Sequence, residues 1–166
     1  MAAAPYLFPG FGAPIPDPRT VMNASGISWF TIAFVLANGC NPVWDGEGGL
    51  TGGPHQASIN AIRAAGGDII PSFGGFNGSK LGEQCTTPQA LAAAYLRVVD
   101  QFNLRVIDID IEANEFDNDA SRNRVVDALK IVKQQRPSLV TIVTIPILQS
   151  GPNFAGTQLI NRAAQV

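Results

Sequence analysis

The chain has 166 residues, of which 46% are hydrophobic and 14% charged, and its formal net charge is −2. This length is enough for one domain with a buried core, which we expect to span residues 1–166. No Lys/Arg cluster stands out, and no apolar run is long enough to cross a bilayer. We therefore expect neither a nucleic-acid partner nor a membrane partner.

Strand patterns and helix patterns alternate along the chain. In chain order, the strand patterns cover residues 6–12, 29–36, 68–73, 104–112 and 139–145. The helix patterns between and after them begin at Asp17 (ending at Gly26), Pro54, Thr87, Asp119 and Thr157. Asp17 and Thr87 are N-cap residues, each followed by proline at the first helical position. Residues 37–53 read as one long, glycine-rich loop.

Regular alternation of strands and helices predicts an α/β fold with parallel strands and right-handed crossovers. About five strand–helix units can be counted, whereas a closed (β/α)8 barrel needs eight units and about 250 residues. The sequence therefore predicts a TIM-barrel type of sheet, present as a partial barrel of about five β/α units.

Three carboxylates recur at every second position in Asp108-Ile-Asp-Ile-Glu112. Alternate side chains of a strand share a face, so Asp108, Asp110 and Glu112 should line one side, about 6–7 Å apart. The isoleucines between them should pack beneath helices on the other side. Because like charges this close repel, at least one carboxyl should hold a proton at a raised pKa. That is typical of acid–base sites; a solvated edge strand and a divalent-ion site are the alternatives.

The cysteines and the single histidine limit the remaining chemistry. Cys40 and Cys85 lie in polar segments that contain Gly or Pro, so they form either a disulfide in an oxidising compartment or two unrelated thiols. Cys-x-x-Cys spacing is absent. His55 is predicted to be a surface or capping residue, and one histidine makes neither a zinc site nor a catalytic triad. We expect no metal and no cofactor.

Two motifs in this order resemble the signatures of glycoside hydrolase family 18, the chitinases and their relatives. Ser72-Phe-Gly-Gly75 is similar to the Ser-x-Gly-Gly motif of the third barrel strand. Asp108-Ile-Asp-Ile-Glu112 is similar to the end of the Asp-x-x-Asp-x-Asp-x-Glu motif on the fourth strand. The resemblance covers nearly the whole chain and is closest to the single-domain bacterial chitinases.

The resemblance implies roles for the three acids. Glu112 would protonate the glycosidic oxygen and later deprotonate water. The acetamido carbonyl of the substrate would act as nucleophile, because family 18 is an exception to the two-carboxylate scheme. Asp110 would orient the acetamido N–H, and Asp108 would share a proton with Asp110. The implied substrates are chitin or N-acetylglucosamine oligosaccharides.

Further residues are candidates for contact with the substrate. Ser72, Gly74 and Gly75 would lie beside the acids on the neighbouring strand, where small residues permit close approach. Gly75 has the alternative of a simple tight turn. Trp44, in the predicted loop, is expected either to stack on a sugar ring or to anchor the loop on the protein.

The chain also departs from the family pattern. Arg105 stands where the long signature has its first Asp, and Ala113 where a Gly often follows the Glu. Barrel strands six to eight, which carry a substrate-binding Tyr and Trp in the family, are not in this sequence. Activity is then expected only if those strands come from elsewhere. Non-hydrolytic chitin binding, an inactive fragment and self-association through the open barrel edge are the alternatives.

A disulfide between Cys40 and Cys85 would imply an oxidising compartment, such as that of secreted proteins. The segment 1–5 lacks the basic and apolar parts of an intact signal peptide, so we expect a secreted protein whose signal peptide is absent from this chain.

Overall fold

The computed structural model describes residues 3–10 and 15–165. Five parallel strands form the sheet in the order β1, β2, β4, β5, β6, and β3 pairs with β2 in the antiparallel sense. The strands are β1 (Tyr6–Leu7), β2 (Trp29–Asn38), β3 (Asn41–Trp44), β4 (Asp68–Gly74), β5 (Val106–Asp110) and β6 (Val140–Thr144). The helices are α1 (Pro18–Ser25), α2 (Gly53–Ala64), α3 (Leu81–Gln84), α4 (Pro88–Phe102), α5 (Ala113–Asp117), α6 (Asp119–Gln135) and α7 (Phe154–Ala163).

The predicted α/β architecture of about five units is confirmed. Each parallel strand is followed by at least one helix, and consecutive parallel strands are neighbours in the sheet. Asp17 and Thr87 cap α1 and α4 by accepting backbone N–H hydrogen bonds, as their positions before proline indicated. Among the described residues, no helix is long and apolar enough to cross a membrane.

The long loop predicted over residues 37–53 is wrong in its first half. β2 continues to Asn38, and a two-residue turn leads into β3, with Asn38 opposite Asn41. Gly39 adopts a φ of 58° in that turn, a conformation that glycine tolerates without strain. The predicted first strand is also shorter than expected, since β1 ends at Leu7, and residues 11–12 of that prediction lie outside the described residues.

The register of the sheet decides which side chains meet inside it. Paired residues of parallel strands point to the same face, and Ser72 pairs with Asp108, which in turn pairs with Ile142. Tyr6 pairs with Thr31 on the same inner face. The opposite face of the sheet packs against the helices, and the apolar core lies there. The inner face is therefore where polar side chains from four strands gather.

Candidate active site

The acidic row lies on β5, an interior strand paired with β4 on one side and β6 on the other. Asp108 and Asp110 are 3% and 5% exposed, and they point to the inner face. Ile107 and Ile109 are buried on the helix side, as the alternating pattern predicted. A solvated edge strand is therefore excluded as the explanation of this row.

Asp108 is the most heavily bonded member of the row. Its Oδ2 accepts hydrogen bonds from the Tyr6 hydroxyl at 2.8 Å and the Ser72 hydroxyl at 2.6 Å, and its Oδ1 accepts from the Thr144 hydroxyl at 2.8 Å. Three strands thus hold one carboxyl group. Because both oxygens already accept hydroxyl hydrogens, they are poorly placed to bind a divalent ion.

Asp110 is buried with little to compensate its charge. Its Oδ1 has no hydrogen-bond partner among the described residues. Burial, together with the neighbouring Glu112 and Asp108 carboxyls, raises the pKa of the Asp110 carboxyl to about 7, while Lys80 acts in the opposite direction. The raised pKa predicted for one member of the row is found here. Asp110 can therefore hold or release a proton near neutral pH.

Glu112 lies just past the end of β5 and is half-buried. Its backbone is still extended (φ −135°), and it occupies the N-cap position of α5. The turn into this helix places Ala113 at a φ of 51°, in the left-handed region that glycine prefers. A glycine, which often follows this Glu in family 18, would adopt this conformation without strain.

An open cleft of about 350 Å³ lies over the row. Asp110 and Glu112 line it together with Thr144, and its remaining lining residues are Tyr6, Phe8, Phe34, Ile145 and Pro146. The Phe34 ring centroid is 6.2 Å from that of Tyr6 and 5.7 Å from that of Phe8. Burial beside Asp108 raises the pKa of Tyr6 to about 12, so its hydroxyl remains a donor. The sequence analysis missed Tyr6, because its bond to Asp108 spans 102 residues.

A larger apolar cleft of about 790 Å³ continues from this one. Tyr6, Phe8 and Phe34 line both clefts, and Phe76, Asn77 and Asp45 are among the residues that line only the larger. A ligand in contact with Glu112 could therefore extend over a continuous aromatic surface.

The small residues of β4 do lie beside the row. Ser72 is fully buried, so it can act on a ligand only through Asp108. A Cβ on Gly74 would come within 2.3 Å of the Asp110 carbonyl oxygen, and a Cβ on Gly75 within 2.7 Å of the Phe34 ring. The backbone N–H of Gly75 donates to the Asp110 carbonyl at 2.9 Å. Both glycines permit close packing beneath the cleft.

Two buried charged residues behind the row escaped the sequence analysis. Glu115 on α5 is 2% exposed and accepts a hydrogen bond from the backbone N–H of Gly82 at 2.9 Å. Burial raises the pKa of Glu115 to about 7. Lys80 is also buried, and its ammonium donates to the carbonyls of Phe76 and Gly78. Glu115 had no visible signal, because α5 is too short to show a helical period.

Of the two alternatives for Trp44 the structure supports the loop anchor, and the predicted surface position of His55 is wrong. Trp44 ends β3, is 3% exposed, and its indole N–H donates to the Leu50 carbonyl at 3.0 Å. Its ring stacks on that of His55 at 4.6 Å with an interplanar angle of 6°. The hairpin that the sequence analysis missed turns Trp44 inward, so the loop-anchoring alternative describes it and no open face remains for a sugar ring.

The predicted disulfide is present between Cys40 and Cys85, whose Cα atoms are 4.8 Å apart. It joins the turn between β2 and β3 to the end of α3. Arg105, the departure from the long signature, lies before β5 and forms an ion pair with Asp68 at 3.0 Å. Its guanidinium lies 4.8 Å from the centroid of the Trp29 ring, at the end of the sheet away from Glu112.

Comparison with known proteins gives relatives of one kind. No family model matches the chain. It is 33% identical over 156 residues to a probable bifunctional chitinase/lysozyme of Escherichia coli, covering 90% of this chain and 17% of that protein. It is 32% identical over 153 residues to endochitinase 11 of Metarhizium anisopliae, covering 90% of this chain and 29% of that protein.

A solved structure agrees with these relatives. The active domain 2 of a thermostable chitinase from Pyrococcus furiosus, in complex with chito-oligosaccharides, superposes with a TM-score of 0.83 and 30% identity. The match covers 98% of this chain and 52% of that domain, so the chain spans about half of it. From the two signatures, the parallel sheet and these relatives, the chain belongs to the chitinase-like family 18 glycoside hydrolases.

Proposed function

We propose that this chain carries the catalytic acids of a glycoside hydrolase that cleaves β-1,4-linked N-acetylglucosamine polymers with retention. One observation carries the proposal: Asp110 is buried between Asp108 and Glu112 with a pKa of about 7, beneath an open cleft. Acid–base chemistry near neutral pH requires a carboxyl at that position that is protonated or shares a proton with its neighbour.

Each acid has a distinct role in the proposed reaction. Glu112, half-buried and open to the cleft, donates its proton to the glycosidic oxygen and later takes one from water. The acetamido carbonyl of the substrate attacks the anomeric carbon, as the family resemblance implies. Asp110 orients the acetamido N–H, and its unpartnered Oδ1 provides an acceptor. Asp108, fixed by three hydroxyl groups, shares a proton with Asp110.

The proposed substrates are chitin and N-acetylglucosamine oligosaccharides. The P. furiosus domain, 30% identical to this chain, was solved with chito-oligosaccharides. The aromatic walls formed by Tyr6, Phe8 and Phe34 favour the same ligand class, because flat rings pack well against the apolar faces of sugars. Gly74 and Gly75 contribute by letting Asp110 and Phe34 approach closely.

We propose that residues 1–166 act as a single, partial catalytic domain. The inner face of β6 is open, with Val140 48% and Ile142 37% exposed. This openness favours a second candidate function, binding of chitin oligosaccharides without cleavage. It also supports self-association, because the segment that follows β6 has exposed apolar side chains at Ile147, Leu148 and Phe154.

Replacement of Glu112 by Gln separates the candidate functions. The parent chain and Glu112→Gln are incubated with the N-acetylglucosamine hexamer, and products are followed by mass spectrometry. Where the parent cleaves the hexamer, we expect a loss of about 10²–10⁴-fold in the variant, with binding retained. Glu47→Gln, an exposed acid outside the row, is the matched control and should keep parental activity.

The other outcomes are equally informative. Binding without cleavage by the parent supports the non-hydrolytic candidate, and neither binding nor cleavage contradicts both. Equal cleavage by parent and Glu112→Gln contradicts the acid role. Light scattering over a range of concentrations tests self-association, which we expect to weaken when Ile147 and Leu148 are replaced by Ser.

We also propose that the protein is secreted. The Cys40–Cys85 disulfide supports this, because disulfides persist in oxidising, extracellular environments. Mass measurement of alkylated protein from culture medium and from cell extract distinguishes the oxidised secreted form from a reduced internal one.

A further inference from the structure

Phe34 lines the cleft, and its backbone is hydrogen-bonded to Asp45, which does not belong to the acidic row. The Phe34 N–H donates to Asp45 Oδ1 at 3.4 Å, and the Asp45 N–H donates to the Phe34 carbonyl at 2.9 Å. Asp45 itself adopts a φ of 54°, which directs its backbone and its carboxylate toward the same neighbour. One residue therefore holds both polar groups of the Phe34 backbone.

The second oxygen of Asp45 faces the buried His55. Asp45 Oδ2 lies 3.3 Å from His55 Nε2, and the His55 side chain is only 5% exposed. Nε2 has no partner of hydrogen-bonding geometry among the described residues. Burial lowers the pKa of His55, so its contact with Asp45 is an ion pair only when the imidazole is protonated. The imidazole also bonds to the backbone of Ala33, the residue before Phe34. His55 thus has an acceptor on each side, and both acceptors adjoin Phe34.

Trp44 fixes the imidazole from a third direction. The two rings are stacked, and the indole is itself anchored on the Leu50 carbonyl. A Cβ on Gly10 would lie 1.6 Å from Asp45 Oδ2, so Gly10 also packs directly against the pair. These contacts leave the carboxylate and the imidazole few alternative positions.

The Phe34 ring connects the contacts of Asp45 and His55 to the cleft. It covers Gly75, whose backbone bonds to Asp110, and it lines the same cleft as Asp110 and Glu112. We propose that Asp45 and His55 are positioning residues that hold Phe34 against Gly75 and thereby set the affinity of the cleft for N-acetylglucosamine oligomers. The choice of ligand in this inference rests on the proposed function. The positioning role rests only on the contacts of Phe34.

The test uses two independent readouts on the full chain. The first is the NMR shift of the Gly75 α-protons, which lie against the Phe34 ring and sense its ring current. The second is the dissociation constant of the N-acetylglucosamine tetramer. We expect Asp45→Ala to move the Gly75 shift toward that of an unstructured glycine and to weaken tetramer binding about 10-fold.

A double-mutant cycle identifies Phe34 as the intermediary. If Asp45 acts through Phe34, Asp45→Ala should change binding less than about 2-fold in a Phe34→Ala background. Asp45→Asn keeps the acceptor for the Phe34 N–H and tolerates the left-handed backbone, so it should retain most of the Gly75 shift. Glu47→Ala removes an exposed acid from the same loop and should change neither readout.

The possible outcomes separate the two proposals. An unchanged Gly75 shift in Asp45→Ala, or additive effects of Asp45→Ala and Phe34→Ala, overturns the positioning role. A parent chain that does not bind the tetramer contradicts the proposed function, and the Gly75 shift then still decides whether Asp45 holds Phe34. His55→Gln should reproduce part of the Asp45→Ala shift, and no shift in it excludes His55 from the pair.

Discussion

The neighbouring strands β5 and β6 have equal length and lie in one sheet, yet their environments are opposite. All five residues of β5 are buried, including two carboxylates. In β6 no residue is buried, and Val140 and Ile142 are partly open to solvent. The strand with two carboxylates is inside, and the strand without charged side chains is outside.

The difference arises from neighbours rather than from the strands' own composition. β5 has a strand on each side, and Tyr6, Ser72 and Thr144 reach across its inner face to Asp108. β6 is an edge strand of the described sheet, and its inner face meets no further strand there. Carboxylates are tolerated in β5 because hydroxyl donors compensate one of them and a bound proton compensates another.

The largest contrast should appear when an isoleucine is truncated in each strand. Ile107 is fully buried on the helix side of β5, whereas Ile142 on β6 is 37% exposed. We expect Ile107→Ala to lower the free energy of unfolding by about 4 kcal/mol, and Ile142→Ala by about 1 kcal/mol, because a cavity forms only at the first. Urea unfolding followed by circular dichroism measures both, and equal losses would mean that β6 is covered in solution.

Substitution of two glycines, Gly74 and Gly151, tests the contrast between the buried and the open part of the sheet. Gly74 and Gly151 have similar φ values of 103° and 107°, so alanine is strained at both. A Cβ at Gly74 collides with the Asp110 carbonyl, but a Cβ at Gly151 meets nothing within 4 Å. We expect Gly74→Ala to cost about 3 kcal/mol and Gly151→Ala about 1 kcal/mol in unfolding experiments. Equal losses of unfolding free energy in the two variants would show that the added Cβ does not collide with the Asp110 carbonyl in the folded protein.

The buried acids around β5 should make stability depend on pH. The pKa values of Asp110 and Glu115 are raised from 3.8 and 4.5 to about 7, so the folded protein keeps protons that the unfolded chain releases. Their contribution is complete below about pH 4 and is lost as the pH rises through about 7. We expect the free energy of unfolding to decline between these limits by up to roughly 1.4 kcal/mol for each unit by which a pKa is raised.

Glu115→Gln isolates one part of that decline. The amide can still accept the Gly82 N–H but does not ionise, so the loss of stability with rising pH should be roughly halved. Glu47→Gln, an exposed acid, should leave the decline unchanged. A Glu115→Gln variant with the full decline would assign the pH dependence to other groups.

The features that the sequence predicted are those with a local signature. The two-residue period of Asp108-Ile-Asp-Ile places the acids and the isoleucines on opposite faces, and Thr87-Pro88 marks the start of α4. The contacts of Tyr6 and Thr144 with Asp108 depend on register across the sheet, which no short pattern encodes. The turn residues are Gly39 and Cys40, and glycine at the first position of a two-residue turn was a usable hairpin signal that the sequence analysis did not use.

The smallest predicted effect concerns Ala113, which follows Glu112 at a φ of 51°. An alanine in the left-handed region costs about 1 kcal/mol relative to glycine, although glycine also gains entropy in the unfolded chain. We therefore expect Ala113→Gly to raise the free energy of unfolding by only about 0.5 kcal/mol, by relieving strain beside the cleft. Ala93→Gly, at an exposed interior position of the regular helix α4, should instead lower it by about 1 kcal/mol. Opposite signs in the two variants would locate strain at the residue next to the proposed acid, while a loss in both would show that Ala113 relaxes into an ordinary helical conformation in solution.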